Sequence, residues 1–238
     1  MTFHYLHLQD WSIFEQLKLE EALLRTDDRN IFIISEGSKR PSIVMGISGK
    51  IEQHVDPEIS KTHAIPVIRR FSGGGTVIVD EHTLFVTFIA NRSLLEPAHA
   101  TPESIMRWAE TIFFPAFGHP EFHLRDNDFV IEKRKCGGNA QYLQKHRWLL
   151  HTSFLWNYLP DRLNLLKYPP KTPTYRQNRN HEDFVCRLCD YIPSQPVLIE
   201  QLRHEMSKKF LLQPLNLALA QENLSGSLHR QATRLELL

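Results

Sequence analysis

Short runs of β-branched and other apolar residues follow one another through most of the chain, and this succession constrains the fold more than any other feature. The runs cover residues 30–34, 42–47, 65–70, 76–80, 84–89, 129–136, 140–142 and 148–158. Runs of this kind, bounded by turn-forming residues, predict buried β-strands. Amphipathic patterns at 10–26, 101–114 and 196–210 predict helices. Strands in the middle of the chain with helices flanking them predict a mixed sheet with helices packed on it.

Two of these helices begin with a capping signal. Ser12 and Glu15 have capping-box spacing, with Asp10 as an alternative cap. Thr101 precedes a proline at the first helical position, which is a common helix start. Further along the chain, the pattern at 160–166 predicts a short helix, and that at 167–181 predicts a proline-rich, basic loop. The residues after 212 carry no clear signal.

Length, charge and cysteine content exclude several classes of protein. The 238 residues correspond to roughly 1.6 domains at about 150 residues each, so we expect one large α/β domain or one domain with a small appendage. With 28 basic and 27 acidic residues, the chain lacks the basic footprint of a dedicated nucleic-acid binder. No apolar run predicts a membrane span, and the first residues do not resemble a secretion signal. Three cysteines do not build a disulfide framework, so we expect a reducing, cytoplasmic location.

Glycine is concentrated at two sites. The chain has ten glycines, of which five are Gly73–Gly75 and Gly137–Gly138. Arg69 and Arg70 precede the triple glycine, whose backbone can adopt positive φ and present successive N–H groups to one point. Because arginine makes bidentate bonds to carboxylate and phosphate, this motif suits an anionic ligand such as an acyl-adenylate. It is not a Walker A loop, a dinucleotide fingerprint or a nucleophile elbow. The alternative is a flexible hairpin loop with surface arginines.

Three further clusters carry candidate chemistry. Lys135 stands just before Gly137–Gly138, where its ammonium could hold a carboxylate and a phosphate together, although a basic turn in solvent is the alternative. The acidic segment Asp126–Asp128 could hold Mg²⁺ or could simply form a turn. The segment 173–181, which includes Arg176, has the aromatic and basic residues of a functional loop, with a solvated linker as the alternative.

Taken in order, these clusters resemble the lipoate–protein ligase A family of the biotin/lipoyl ligase superfamily. The family's Arg-Arg-x-Ser-Gly-Gly-Gly-[Ala/Thr]-Val motif is matched at 69–77, and its Asn-Asp pair at 127–128. Its Lys-x-x-Gly-[Asn/Ser]-Ala motif is matched at 135–140, and its later His-containing strand is matched loosely at 151–155. Four motifs in the family's order, across about residues 11–210, are far more specific than any one of them.

The resemblance implies an α/β fold of the α+β type, with a mixed, largely antiparallel sheet flanked by helices. It implies a ligase catalytic domain over 1–212 and a C-terminal tail or short extension over 213–238, without a full accessory domain. It also implies the reaction: lipoate's carboxylate attacks the α-phosphate of ATP to give lipoyl-AMP and pyrophosphate. The ε-amine of a lysine on an acceptor domain then attacks this mixed anhydride and releases AMP.

The resemblance also assigns residues to the two substrates. Lys135 is expected to be catalytic and to contact both lipoate and the phosphate. The expected ATP- or adenylate-binding residues, besides Lys135, are Arg70, Gly73, Gly74, Gly75, Thr76, Val77 and Ile78, and the expected lipoate-binding residues are Lys135, Gly138 and His151. Asn127, Asp128 and Arg176 are further candidates, with Asp128 as the expected ligand of the Mg²⁺ that accompanies ATP.

The expected partners are the lipoyl domains of 2-oxoacid dehydrogenase E2 subunits or the glycine cleavage H protein, with a separate accessory protein as a further candidate. The chain departs from the family pattern at Val79, where a histidine is usual, and at Thr152, where a glycine is usual. These departures put the choice of substrate in doubt more than the fold.

Three alternatives remain open. The first is an octanoyl or lipoyl transferase of the same fold, which moves an acyl group between carrier proteins without ATP and in some relatives uses a cysteine nucleophile. Cys136 adjoins Lys135, but no motif places the nucleophile there. The second is a biotin ligase. The third is a non-catalytic relative that binds acceptor domains or a nucleotide, which the substitutions at Val79 and Thr152 keep open.

Overall fold

The structure, a computed structural model, describes residues 1–56, 62–95, 100–226 and 231–237, and its elements build two sheets. The strands are β1 (Thr2–Gln9), β2 (Asn30–Glu36), β3 (Ser42–Met45), β4 (Val67–Arg69), β5 (Val77–Val79), β6 (Thr83–Asn91), β7 (Phe122–Arg125), β8 (Asp128–Ile131), β9 (Arg134–Leu143), β10 (Arg147–Leu155), β11 (Leu211–Pro214) and β12 (Arg234–Glu236). The α-helices are α1 (Ile13–Thr26), α2 (Ile51–His54), α3 (Pro102–Phe117), α4 (Pro160–Leu163), α5 (His181–Phe184), α6 (Gln195–Lys209) and α7 (Leu217–Gly226).

The two sheets are mixed and mostly antiparallel. The larger sheet has the order β11-β1-β2-β6-β10-β9-β8-β7, in which β1 runs parallel to both of its neighbours and the other pairs are antiparallel. The smaller sheet has the order β12-β4-β3-β5, with only β3 and β4 parallel. The expected mixed, largely antiparallel sheet with flanking helices is confirmed.

Helices cover both faces of the larger sheet. On one face, α3 and α6 bury an aromatic-rich core in which Phe113 and Phe88 pack together with Trp148. On the other face, α1 packs Leu19 and Leu23 onto β2 and β6. The same helix turns Leu17 toward the smaller sheet, which therefore lies over this second face. Helix α1 thus fills the gap between the sheets at one end, and a cavity remains beside it.

Several boundaries differ from those predicted. The predicted strand 129–136 is a hairpin, because Glu132 adopts a φ of 55° and reverses the chain between β8 and β9. Strand β1 was not predicted, since polar residues alternate with its buried ones and hide the apolar run. Thr101 caps α3 as predicted, in a capping box completed by Ser104, but the Ser12 side chain makes no capping hydrogen bond. No helix in the described part of the chain is long and apolar enough to cross a membrane.

Candidate active site

A cavity of about 1050 Å³ opens between the two sheets. It is bounded by the link between β4 and β5, by the hairpin of β8 and β9, by the buried face of β10, and by the segment 167–181. All residues that the resemblance assigns to a substrate or a metal line it: Arg70, Gly73, Gly74, Gly75, Thr76, Val77, Ile78, Asn127, Asp128, Lys135, Gly138, His151 and Arg176. The fold therefore brings together in one cavity residues that lie up to 106 positions apart in the chain.

The link between β4 and β5 contains the triple glycine, and Arg70 holds it from inside. The Arg70 guanidinium donates to the carbonyl oxygens of Gly73 (3.1 Å) and Gly75 (2.8 Å), and also to that of Val44 (3.2 Å). Gly74 has a φ of 117°, and a Cβ there would lie 2.7 Å from Arg70 Nη2. A left-handed backbone in so tight a space requires glycine.

Arg70 therefore has a structural role in this loop that the sequence did not indicate. We expected its guanidinium to bind an anion directly, whereas four of its five N–H groups are used within the protein: two on the carbonyl oxygens of Gly73 and Gly75, one on that of Val44 and one on the Ser72 hydroxyl. Turning these carbonyls toward Arg70 leaves the loop's other face open, and no atom lies within 4 Å of where a Gly75 Cβ would be. Burial lowers the pKa of Arg70 to about 10, a value at which the guanidinium remains charged at neutral pH.

A buried chain of hydrogen bonds links this loop to helix α1. Glu20 accepts from Gln16 (2.9 Å) and Thr87 (2.7 Å), and its second oxygen lies 2.8 Å from Nδ1 of His151. Nε2 of His151 lies 3.2 Å from the Ser72 hydroxyl oxygen, which in turn accepts from Nε of Arg70. Because an ionised Glu20 can only accept, Nδ1–H of His151 donates to it; Nε2 of a neutral ring is then an acceptor, to which the Ser72 hydroxyl donates.

This series of hydrogen bonds resembles a Ser-His-acid triad in its residue types but not in its position. Ser72 is fully buried and is not part of the cavity lining, so its hydroxyl does not face a substrate. Burial lowers the pKa of His151, opposed by Glu20, which favours the neutral ring that the hydrogen bonds require. The three residues therefore fix the glycine loop rather than supply a nucleophile.

Across the cavity, Lys135 projects from the start of β9. Its Nζ lies 2.8 Å from one carboxylate oxygen of Asp128, on the neighbouring strand β8. The other Asp128 oxygen accepts a 2.8 Å hydrogen bond from the Tyr175 hydroxyl, and burial, together with Asp128, raises the pKa of Tyr175. Asp128 thus orients the ammonium and anchors the segment 167–181 at the same time.

The two glycines of β9 serve different neighbours. A Cβ on Gly138 would lie 3.1 Å from Lys135 Nζ, so its absence leaves room for the ammonium within the cavity. A Cβ on Gly137 would lie 2.7 Å from the Phe154 ring, so this glycine permits packing of the core. Gly138 is part of the cavity lining, and Gly137 is not.

The segment 167–181 forms the remaining wall. Arg176 is 3% exposed, with its guanidinium carbon 4.4 Å from the centre of the Tyr168 ring and 4.8 Å from that of Phe184. His181 also lines the cavity, and its pKa is lowered by burial and by the positive charges of Arg176 and Lys135. Arg176 and His181 belong to the segment 173–181, which the sequence indicated only as an aromatic and basic loop.

A protein-held magnesium ion does not fit this arrangement. Both oxygens of Asp128 are already bonded, to Lys135 and Tyr175. In the ranges that the structure describes, no group of three or more His, Cys, Asp or Glu side chains could hold a metal ion. Mg²⁺ needs few protein ligands when phosphate oxygens are present, so we treat an ion that accompanies ATP as part of the nucleotide substrate.

The structure adds residues that sequence reasoning missed. Glu20 and Ser72 complete the hydrogen-bond chain, and Tyr175 anchors the loop that carries Arg176. Helix α3 also contributes its first turns to the lining, through Glu103 and Met106. Glu20 carried a detectable signal, because a carboxylate on the apolar face of a predicted helix needs a buried partner.

The fold and site together define a class of protein: an α/β domain with a glycine loop and a facing lysine in a cavity between two sheets. Within that class, the chain belongs to the family of the lipoyl protein ligase A/B catalytic domain, whose model matches residues 12–211. The expected family is thereby confirmed.

Curated relatives carry three different descriptions. The chain is 27% identical to "Inactive lipoate--protein ligase 2" of Plasmodium falciparum, over 84% of this chain and 67% of that protein. It is 28% identical to "Probable lipoate-protein ligase A" of Mycoplasma pneumoniae, over 82% of this chain and 55% of that protein. "Octanoyltransferase LipM" of Halalkalibacterium halodurans is 23% identical, over 76% of both chains. The chain thus spans only about half to two thirds of the ligase relatives' lengths.

Solved structures share the fold. A lipoate-protein ligase A bound with ATP superposes with a TM-score of 0.75 at 20% identity, covering 94% of this chain and 95% of that one. A bi-partite lipoate protein ligase of Thermoplasma acidophilum, described with its E2 lipoyl domain, has a TM-score of 0.74 at 20% identity, covering 94% and 92%. A T. acidophilum protein with bound lipoic acid has a TM-score of 0.72 at 19% identity, covering 94% and 95%.

Proposed function

We propose that this protein is an ATP-dependent lipoate ligase, which activates lipoate as lipoyl-AMP and transfers the lipoyl group to a lysine of an acceptor lipoyl domain. One observation carries the proposal: Lys135 and the glycine loop held by Arg70 line the same cavity. The structural neighbours bound with ATP and with lipoic acid support the choice of substrates.

The residues have distinct tasks in the first half-reaction. A carboxylate and a polyphosphate repel each other, so their approach needs fixed positive charge and N–H donors. The loop 73–76 would present its open face to the nucleotide, while Lys135 would contact both the carboxylate and the α-phosphate. A lipoate oxygen then forms a bond to the α-phosphorus, the bond from that phosphorus to the bridging oxygen breaks, and pyrophosphate leaves.

Apolar side chains give the lipoate tail a place to bind. Val44, Val77 and Phe85 line the cavity and pack in one apolar cluster, in which the Phe85 ring lies 4.9 Å from that of His151. A neutral His151 suits this role, since its ring adds no charge beside an apolar chain. In the second half-reaction an acceptor lysine, with an ordinary pKa of about 10.4, loses a proton, attacks the acyl carbon and displaces AMP.

The acceptor is proposed by class. Lipoyl domains of E2 subunits are favoured, because the T. acidophilum neighbour is described with its E2 lipoyl domain. The glycine cleavage H protein is a second acceptor to be tested. A separate accessory protein belongs in the same test, since that neighbour is described as bi-partite.

A reducing cytoplasm is the location we propose, because it suits free thiols such as those of Cys136 and Cys186.

A transferase that works without ATP is the second candidate, supported by the LipM relatives. A cysteine acyl-enzyme would need a thiol at the cavity. All three cysteines lie in the described part of the chain, and none of them lines the cavity. Burial raises the pKa of Cys136, the cysteine beside Lys135, which makes its thiol a poor nucleophile.

A non-catalytic relative is the third candidate, because a similar protein is described as inactive. The departures from the family pattern do not obstruct the cavity. Val79 packs in the core between α1 and the smaller sheet, and Thr152 donates a hydrogen bond to Asn139. Neither residue lines the cavity, so both substitutions are compatible with substrate binding.

Pyrophosphate exchange into ATP, measured with and without lipoate, separates these candidates. We expect exchange that depends on lipoate, followed by transfer to an apo lipoyl domain. Lys135→Ala should reduce exchange by at least about 100-fold, since it removes a charge-assisted contact at the reacting groups. Lys133→Ala removes an exposed lysine two positions away and should retain normal activity.

Two results would overturn the proposal. Absence of exchange in the presence of lipoate and candidate accessory proteins would reject the ligase. Transfer from an acyl-carrier thioester without ATP would establish the transferase instead.

A further inference from the structure

One cation in the cavity has a buried donor without a protein partner. Arg176 lies in the 3₁₀ turn Thr174–Arg176, and only 3% of its surface is exposed. Its Nε donates to the carbonyl oxygen of Arg179 at 2.9 Å, but its Nη2 has no hydrogen-bond partner. A buried donor left unpaired is costly, so its presence in a substrate cavity points to a ligand.

The surroundings of Arg176 hold its guanidinium in place. The rings of Tyr168 and Phe184 lie against it at 4.4 and 4.8 Å, and stacking of this kind leaves the edge of the guanidinium plane available for hydrogen bonds. Tyr175 ties the turn to Asp128, and Arg179 donates to the carbonyl oxygens of Tyr175 (2.8 Å) and Arg176 (3.0 Å). The guanidinium that carries the unpaired Nη2 therefore belongs to a cavity-lining turn that is already anchored.

The charge around this donor favours an anion. Among the described residues, the lining includes six lysine and arginine side chains but only three carboxylates. One of these carboxylates, Asp128, is already bonded to Lys135 and Tyr175. Lys167 and Lys171 belong to the same segment as Arg176 and also line the cavity.

The two buried arginines of the cavity differ in what they can bind. Arg70 uses its Nη2 on the carbonyl oxygens of Gly73 and Gly75, whereas the Nη2 of Arg176 is free of protein partners. If the α-phosphate lies beside Lys135, the β- and γ-phosphates need a second cation with donors to spare. Guanidinium and phosphate oxygens match in geometry, which makes arginine suited to this task.

We propose that Arg176 binds the β- and γ-phosphates of ATP and holds pyrophosphate as it leaves. This proposal rests on the proposed ligase function. It names the polyphosphate of ATP as the anion that the segment 167–181 binds. No covalent step involves Arg176: its N–H groups donate to phosphate oxygens, and the negative charge that develops on the leaving group is stabilised there. The second half-reaction contains no pyrophosphate, so it should not depend on this contact.

The test compares Arg176→Met and Arg176→Lys with the unaltered protein. Loss of one charge-assisted contact should raise the KM for pyrophosphate in the exchange reaction by about 10- to 100-fold for Arg176→Met. Arg176→Lys, which retains the charge, should recover part of this loss. Transfer from preformed lipoyl-AMP to the acceptor, and the KM for lipoate, should change less than about 2-fold in both variants.

Arg203→Met is the matched control, because Arg203 also stacks on an aromatic ring, at 5.0 Å from Tyr5, but does not line the cavity. Calorimetric titration with magnesium pyrophosphate adds a readout that does not depend on turnover. The expected result is weaker binding in both Arg176 variants and unchanged binding in Arg203→Met. Thermal unfolding is measured for every variant, and the lysine variant decides the question if the methionine variant does not fold.

Several outcomes would overturn the assignment. Unchanged pyrophosphate binding and KM in a folded Arg176 variant would reject it, as would an equal loss in transfer from preformed lipoyl-AMP. A rise in the KM for lipoate alone would assign Arg176 to the carboxylate instead. Failure of the unaltered protein to catalyse exchange would count against the ligase function, and the titration would then decide separately whether Arg176 binds the polyphosphate.

Discussion

Two adjacent glycines of β9 should respond very differently to the same substitution. A methyl group on Gly137 would press on the Phe154 ring in the core, whereas a methyl group on Gly138 would meet the flexible end of Lys135. We expect Gly137→Ala to lower the free energy of unfolding by about 1–3 kcal/mol, the usual cost of overpacking. Gly138→Ala should unfold almost normally but displace the ammonium and lower the rate of adenylation. Denaturant unfolding and pyrophosphate exchange, measured on both variants, check this separation.

The reverse pattern, with Gly137→Ala stable but inactive and Gly138→Ala unstable, would contradict the assignment of these neighbours. Gly118→Ala is not a suitable control, because Gly118 has a φ of 62° and the backbone strain would confuse the comparison. Gly75→Ala is the better control for the effect of packing on unfolding, since nothing lies within 4 Å of the added methyl group.

At the scale of residues, the sequence predicted which side chains meet but not what each one does. Lys135 and the triple glycine were identifiable because their spacing and residue types have few other uses. The use of the Arg70 donors on loop carbonyls could not be predicted, because it depends on the path of the backbone between β4 and β5. For the same reason the two glycines of β9 could not be told apart before their neighbours were known.

At the scale of elements, three separate parts of the chain meet in the hydrogen-bond chain from Glu20 through His151 to Ser72. Glu20 belongs to α1, His151 to β10 and Ser72 to the glycine loop, so each depends on the others for a partner. No local pattern predicts such a contact, because it depends on how the smaller sheet packs over α1. The hairpin of β8 and β9 was missed for a local reason. Glu132 adopts a positive φ, a conformation that is usually predicted only where the sequence has a glycine.

This chain of contacts should make stability depend on pH. The pKa of buried His151 is below its usual value of 6.5 in the folded protein, despite the opposing effect of Glu20, while Arg70 lowers it further. Below about pH 6.5 the unfolded chain takes up a proton that the folded ring does not, so the free energy of unfolding should fall as the pH is lowered. Above that pH both states hold a neutral ring, and this contribution disappears.

We expect His151→Gln to lose less stability than the unaltered protein between pH 7.5 and 5.5. A glutamine amide can still donate to Glu20, and it does not titrate. Denaturant unfolding at both pH values gives the comparison, and His204→Gln, an exposed histidine, should behave like the unaltered protein. Equal pH dependence in His151→Gln and the unaltered protein would show that His151 does not contribute.

At the scale of the whole molecule, the residues after 212 take part in both sheets. Strand β11 extends to Pro214 beside β1, α7 packs on α1, and β12 pairs with β4 at the edge of the smaller sheet. Glu236 of β12 also pairs with Arg69, the residue that precedes the loop arginine. The sequence showed no clear signal there because these elements are short and, in large part, exposed, so only their partners define them.

The last strand should therefore stabilise the catalytic domain from its edge. Glu21, which is fully buried on α1, accepts hydrogen bonds from the backbone N–H groups of Ala232 (2.8 Å) and Thr233 (2.9 Å), and pairs with Arg25. Removal of residues 231–238 takes away both N–H donors and leaves the buried carboxylate with Arg25 alone. Since hydrogen bonds to charged groups contribute about 1.5–3 kcal/mol each, we expect the loss of these two to lower the free energy of unfolding by about 3–6 kcal/mol.

Glu21→Gln is the matched variant, because it retains the side-chain volume but weakens the same two acceptors. If the carboxylate is what the tail stabilises, truncation should cost markedly less in the Glu21→Gln background than in the unaltered protein, and a double-mutant cycle measures that coupling. Additive effects would assign the loss to the pairing of β12 with β4 instead. An unchanged free energy of unfolding after truncation would show that the edge strand contributes nothing, and that Glu21 is adequately paired by Arg25.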